Sequence, residues 1–226
     1  MSTRSRTRKP LTRERVLEQA IALADESGLE SLSMRKLGQA LGVEAMSLYN
    51  HVANKGELVA AMVDAVIERF ELPDDEPAWD AAIRRCAISA HDVLIEHRWA
   101  CSLALVPSDP KTVSGPRIRY MEWLLRTLRE GGFSAERAYS AYHAIDSHIF
   151  GFTLWQIGHG QAAAAFAPGD GESFEDWAAQ LLEQMRPSFP YLAEHGEQHL
   201  SDDAPTGRSE FEFALDLLLD GLRRLQ

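Results

Sequence analysis

The sequence predicts an all-α protein in which three short helices stand in front of a larger helical domain. Apolar residues recur at helical spacing almost throughout, and strand-like alternation over four or more residues is hard to find. The 226 residues, 45% hydrophobic and 25% charged, have the make-up of a folded globular chain and exclude a disordered or fibrous one. Asp74, Asp75 and Glu76 between Pro73 and Pro77 read as a linker, which sets a domain boundary near Leu72. The expected division is a basic arm over 1–10, a first domain over 11–72 and a second over 73–226.

Taken in order, Thr12 is a usable N-cap for a helix carrying Val16, Leu17, Ala20, Ile21 and Ala24, and Gly28 stops it. Ser33 caps a short helix with Leu37, Ala40 and Leu41 inward, ended by Gly42. Only Gly42, Val43 and Glu44 separate it from a helix expected over Ala45 to Val52. Asn54, with Glu57 three residues on, forms a capping box before the stripe Leu58, Met62, Ala65 and Val66. Further helices are expected at about 78–97, 116–131, 134–158, 173–186 and 208–225. The connections between them hold most of the Pro and Gly.

The net charge of -11 weighs against a nucleic-acid partner until it is resolved along the chain. Up to residue 60 there are nine bases against seven acids, and beyond it 14 against 27. The first 15 residues alone hold six bases and one acid. Cys86 and Cys101 can form neither a disulfide framework nor a four-ligand zinc site, and the N-terminus lacks a signal peptide's apolar run, so a cytoplasmic setting is expected. From Ser147 to Gly169 no residue is formally charged, but His148, Gln156, His159 and Gln161 argue against a membrane span. The pair Gly158 and Gly160 should end the helix there in a loop.

The segment Ser33 to His51 has the form of a helix-turn-helix. Gly38 leaves room for two helices to cross, Gly42 turns the chain, and Val43 and Leu48 supply contacts beneath the second helix. Such a turn lets the second helix protrude, as entry into a DNA major groove requires. The stretch Leu41-Gly-Val-Glu-Ala-Met-Ser-Leu-Tyr-Asn-His-Val-Ala-Asn-Lys-Gly-Glu-Leu58 closely resembles the recognition-helix pattern of the tetracycline-repressor (TetR) family of dimeric bacterial regulators. The resemblance is strong over 12–70. It is visible again in Glu130-Gly-Gly-Phe-Ser134, and Phe211 to Leu222 looks like the terminal dimer helix of the family's tetracycline-repressor branch.

The resemblance implies that Ala45, Met46, Ser47, Tyr49, Asn50 and His51 occupy the exposed face of the recognition helix. Groove chemistry then suits Asn50 to adenine and Ala45 or Met46 to a thymine methyl. Ser47, Tyr49, His51 and Lys55 suit phosphates, and Arg35 suits either a base or the backbone. Met46 departs from the family pattern, so the operator sequence does not carry over. Internal packing is the alternative for Tyr49 and Met46, and the arm Arg4, Arg6, Arg8, Lys9 is either a minor-groove arm or a solvated tail.

The resemblance further implies that residues 73–226 bind a small-molecule effector and dimerise. The protein would be a repressor released from double-stranded operator DNA, with an activator of the same fold as the alternative. The final helix is apolar on two faces, through Phe211, Leu215, Leu218, Leu222 and Leu225 and also Ala214, Leu217 and Gly221, which calls for a core and a symmetry mate. After Arg137 the 134–158 helix has Asp146 as its single formal charge, so nearly its whole circumference should be buried. His143, Asp146 and His148 then need a ligand or partners across the dimer. An apolar or aromatic effector would be lined by Trp99, Tyr120, Met121, Trp123, Phe152 and Trp155, each of which is equally suited to ordinary core. Magnesium-tetracycline is disfavoured, because Ala104 stands where the family's metal-binding His is expected; no cofactor or metal is expected.

Enzyme readings are weak, and the expectation is a non-enzyme. Gly158-His-Gly-Gln-Ala-Ala163 fits a loose dinucleotide fingerprint but follows a helix and lacks the strand such a site needs. His195 and His199 have metal-ligand spacing, yet Pro190 and Gly196 argue for a solvated loop. A small-molecule enzyme or carrier with a vestigial DNA-binding domain is the competing class.

Overall fold

The computed structural model describes residues 10–105, 115–165, 173–200 and 209–226, without the side chains of 160–165 and 199–200. The basic arm over 1–9 lies outside the described residues. Ten α-helices and no strand are present among the described residues: α1 (Arg13–Ser27), α2 (Met34–Leu41), α3 (Ala45–Leu48), α4 (Lys55–Ile67), α5 (Trp79–Glu96), α6 (Pro116–Glu130), α7 (Ala135–Ala165), α8 (Phe174–Met185), α9 (Pro190–Leu200) and α10 (Glu210–Arg223). Met1–Thr153 and Leu154–Gln226 form two compact units. The functional division expected near Leu72 falls inside the first.

Local chemistry sets the starts of the first helices. Thr12, Ser33 and Asn54 each accept the N–H three residues on, at 3.3, 3.2 and 2.9 Å. Glu57 reaches back past the cap and accepts the Ala53 N–H at 2.6 Å, a variant of the expected box. Gly42, with φ 70 and ψ 33, closes α2 in the left-handed conformation that favours glycine. Beneath these helices Val16, Ala20, Leu37, Leu48, Leu58 and Met62 make one core, with Leu17, Leu41 and Val43 partly buried against it. Ala40, expected inward, is exposed.

Four other expectations are corrected. The recognition helix is four residues long, and 49–51 continue as a turn in which Tyr49, Asn50 and His51 donate to carbonyls three residues back. Helix α7 runs through Gly158 and Gly160 to Ala165, because each glycine costs a helix only about 1 kcal/mol and a run of alanines follows. Nor is its circumference buried in the single chain. Tyr139, His143, Ser147, Gly151, Trp155 and His159 form an exposed stripe at four-residue spacing, with Tyr139 65% exposed. Pro190 starts a helix where a loop was expected. Pro suits a first helical position, and at Gly196 a Cβ would run into Leu182 of α8.

In the last helix the buried set is Phe211, Leu215, Leu219 and Leu222, while Phe213, Leu217 and Leu225 are exposed. The core phase therefore runs through Leu219 and not Leu218 or Leu225. Among the described residues no helix is long and apolar enough to cross a membrane.

Candidate functional site

The first site is the surface presented by α2, the turn and α3. Gly38 brings the two helices together: a Cβ there would lie 2.9 Å from the Val43 carbonyl oxygen and 3.2 Å from the Ala45 nitrogen. The Gly38 carbonyl also accepts the Val43 N–H at 2.9 Å, so the turn is fastened to the residue that it crosses. On the outer side Met46 is 76% and Tyr49 44% exposed, which sets aside internal packing for either within the chain. Asn50, Arg35 and Lys55 are exposed, and Ala45, Ser47 and His51 half-buried. One proton of the Lys55 ammonium goes to the Leu32 carbonyl at 2.6 Å, tying the start of α4 to the loop before α2. An ammonium has three such donors, so two are left for a phosphate.

A polar junction sits where the core of α1 to α4 meets the end of α5. One oxygen of Asp25, on α1, accepts both Trp99 Nε1–H at 2.7 Å and His97 Nδ1–H at 2.9 Å. The other ring nitrogen of His97 faces the Arg69 guanidinium at 2.6 Å. A guanidinium only donates, so His97 accepts at Nε2 and carries its proton on Nδ1. Trp99, expected to line an effector pocket, thus packs against the N-terminal core and fixes α1 to the segment after α5.

The second site is a buried polar cluster between α6 and α7. Arg117 forks onto Asp146, with Nη2 at 2.8 Å and Nη1 at 3.3 Å, and its guanidinium carbon lies 5.1 Å from the Tyr120 ring centre and 4.8 Å from that of Phe150. Tyr142 adds a long hydrogen bond to Asp146 at 3.5 Å. Burial pushes the Tyr120 hydroxyl well above its ordinary range, with Asp146 adding to the shift and Arg117 opposing it. Of the ligand candidates, the cluster unites Tyr120 and Asp146. Trp123 is buried on the same helix and lines a groove with Leu72 and Ile118. Phe152 is half-buried, with its ring 6.2 Å from that of His91 and 5.6 Å from that of His148. Met121 is half-buried, and His143 is exposed and bonds its own helix at Tyr139 O. Trp155, in the second unit, is 45% exposed and packs on His159.

His91 has a consequence for pH. It is buried, and because Thr153 Oγ1 donates to Ile149 O at 2.6 Å, that hydroxyl accepts His91 Nδ1–H at 2.8 Å. Burial, helped by His148 and opposed by Asp92, lowers its pKa below the ordinary value. An unfolded His protonates near pH 6.5, whereas the folded one resists, so this residue's contribution is intact above about pH 6.5 and lost on acidification below it. Melting temperature should fall between pH 6.5 and 5, and His91→Gln should flatten that fall. An unchanged slope in the variant would assign the effect elsewhere.

The site geometry has counterparts in known proteins. A family model described as "Bacterial regulatory proteins, tetR family" matches residues 16–62, and one described as "Tetracyclin repressor-like, C-terminal domain" matches 72–225. The HTH-type transcriptional repressor DrrR1 of Streptomyces coeruleorubidus is 33% identical over 229 residues, covering 98% of this chain and 81% of that protein. Tetracycline repressor protein class D of Escherichia coli is 32% identical over 179 residues, covering 77% and 80%. The Streptomyces coelicolor TetR family protein ActR, solved in complex with actinorhodin, superposes with a TM-score of 0.69 at 29% identity, covering 96% of this chain and 98% of that one.

Proposed function

The chain belongs to the tetR family of bacterial regulatory proteins, and from that premise we propose that it is a homodimeric repressor that leaves a palindromic operator when an apolar or aromatic effector binds. The observation that carries the DNA assignment is the protrusion of Met46, Tyr49 and Asn50 from a turn locked by Gly38. Arg35, Ala45, Met46 and Asn50 face bases, while Ser47, Tyr49, His51 and Lys55 hold phosphates. The division between reading and sensing parts lies near Leu72, as the extents of the two matching family models suggest. Its role is regulatory and not catalytic.

Two helices support the dimer separately. Helix α7 exposes its Tyr139 to His159 stripe, with Ser147 and Gly151 small enough for a close approach, and α10 exposes Phe213 and Leu217 opposite its buried face. Faces of this kind call for a partner, and a second copy is the simplest. The effector reading draws on the ActR complex and on the buried polar cluster between α6 and α7.

Electrophoretic mobility shift with the DNA upstream of the coding sequence tests this. We expect sequence-selective retardation against competitor DNA, by a dimer whose recognition helices reach half-sites about 34 Å apart. Asn50→Ala should weaken specific binding about 5- to 150-fold, the 1–3 kcal/mol of one bidentate base contact, without changing the salt slope that phosphate contacts set. Equal retardation of unrelated DNA, or a monomeric mass by light scattering at micromolar concentration, contradicts the proposal.

A further inference from the structure

The cluster between α6 and α7 contains two polar atoms that are left over once its other hydrogen bonds are made. Among the described residues, the buried Arg117 Nε and the buried Tyr120 hydroxyl have no partner within hydrogen-bond distance, although Asp146 lies near enough to the hydroxyl to help raise its pKa. Their residues are 5% and 1% exposed. Buried polar groups in native proteins are almost always satisfied, and each orphan costs about as much as a lost hydrogen bond. Two orphans three residues apart on one helix face, in contact through the guanidinium and the phenol ring, point to a missing acceptor. Arg117 Nε–H can only donate, and the Tyr120 phenol, whose pKa burial raises, keeps its proton to donate.

The charge of the cluster says what kind of acceptor fits. The guanidinium is already neutralised by the two-pronged bond to Asp146, whose carboxylate is itself 15% exposed. A carboxylate brought against Nε would leave one buried negative charge without a counter-charge, which is costly. An uncharged oxygen adds no charge and satisfies both donors. Phe150 and the Tyr120 ring supply flat apolar walls beside it.

We propose that Arg117 Nε and Tyr120 Oη are the polar anchor of the effector site, and that they select effectors presenting an uncharged carbonyl-type oxygen on an aromatic body over hydrocarbons and carboxylates. This rests on the reading of the chain as effector-responsive and names the chemistry of that effector. The surface grooves of about 520 and 450 Å³ do not include these two residues. Because both residues are buried, an oxygen that reaches them enters the layer between α6 and α7, a displacement by which binding can be felt in the rest of the first unit.

Matched triplets test the selectivity: fluorene, 9-fluorenone and fluorene-9-carboxylate, and diphenylmethane, benzophenone and diphenylacetate, titrated against the full chain. The ketone of at least one ring system should bind roughly tenfold more tightly than its hydrocarbon and its carboxylate, the effect of one or two hydrogen bonds in a dry site. Tyr120→Phe should reduce that preference several-fold, leaving only the Arg117 Nε contact, while the melting temperature of the ligand-free protein stays equal or rises, since the hydroxyl it removes has no partner within hydrogen-bond distance among the described residues. A role in packing alone would not couple the two readouts in this way. No ketone preference in either triplet, a preference undiminished in Tyr120→Phe, or a clear loss of ligand-free stability in that variant overturns the anchor. Retardation of upstream DNA by the same wild-type preparation keeps the two readings apart. If it retards DNA selectively but shows no ketone preference, the anchor alone fails; if it does not retard DNA, the regulator reading fails whatever the ketones do.

Discussion

Arg117→Met is expected to destabilise the fold by about 3–5 kcal/mol, because it strands the Asp146 carboxylate in the α6–α7 layer without its counter-charge. For a chain of this size that corresponds to a drop of roughly 6 to 20 °C in melting temperature. The methionine keeps most of the apolar volume against Tyr120 and Phe150, so the loss reports the charge and not a cavity. Arg117→Lys should fall between the two, since a single ammonium cannot fork onto both carboxylate oxygens. The double variant Arg117→Met with Asp146→Leu removes both charges and should recover most of the loss, as buried ion pairs are often replaceable by apolar residues of similar volume. Calorimetry on the wild type, Arg117→Met, Asp146→Leu and the double variant gives the pair's coupling energy. If the double variant is no more stable than Arg117→Met, the cost does not arise from a stranded charge.

The same pair marks the limit of what the sequence alone discloses. Caps at Thr12, Ser33 and Asn54 are legible because each is settled within three residues by one oxygen and one N–H. The Gly42 turn and the helix-turn-helix are legible for the same reason. Asp146 stands out as the single charge in an apolar run and Tyr120 as an aromatic, but Arg117 is missed, since an Arg near a helix start reads as surface and its partner is 29 residues away on another helix. A signal was present: Arg117 lies in phase with Tyr120, Leu124 and Leu128, the buried stripe of α6. Trp99 is misplaced for a related reason. Its aromatic character is visible, whereas its bond to Asp25, 74 residues earlier, is a product of the tertiary fold. Composition also hides that α7 is half exposed in the single chain, because Tyr139, Ser147, Gly151 and Trp155 carry no formal charge and read like core positions.

Gly38→Val should abolish operator selectivity while leaving weak, salt-sensitive binding to any DNA. The atoms that a side chain at 38 would meet are the Val43 carbonyl oxygen at 2.9 Å and the nitrogen and Cα of Ala45 at 3.2 and 3.3 Å. All are backbone, so no side chain can rotate out of the way. Relief has to come from moving the turn, and the turn carries α3, which is only four residues long and has no side-chain cap of its own. Overpacking of this kind costs about 1–3 kcal/mol, which the Val16 to Met62 core can absorb without unfolding. Base contacts have no such tolerance, since Met46 and Asn50 must meet groups fixed in the groove. Specific binding should fall toward the level of non-specific binding, a loss on the order of a thousandfold or more, while the phosphate contact of Lys55, on α4, preserves salt dependence. Gly38→Ala, with a single methyl, should lie in between. Mobility shifts with operator and scrambled DNA over a salt series separate the two components, and circular dichroism checks that the helices persist. Retention of selectivity in the folded valine variant would mean that the α2–α3 crossing does not set the aim of the recognition helix.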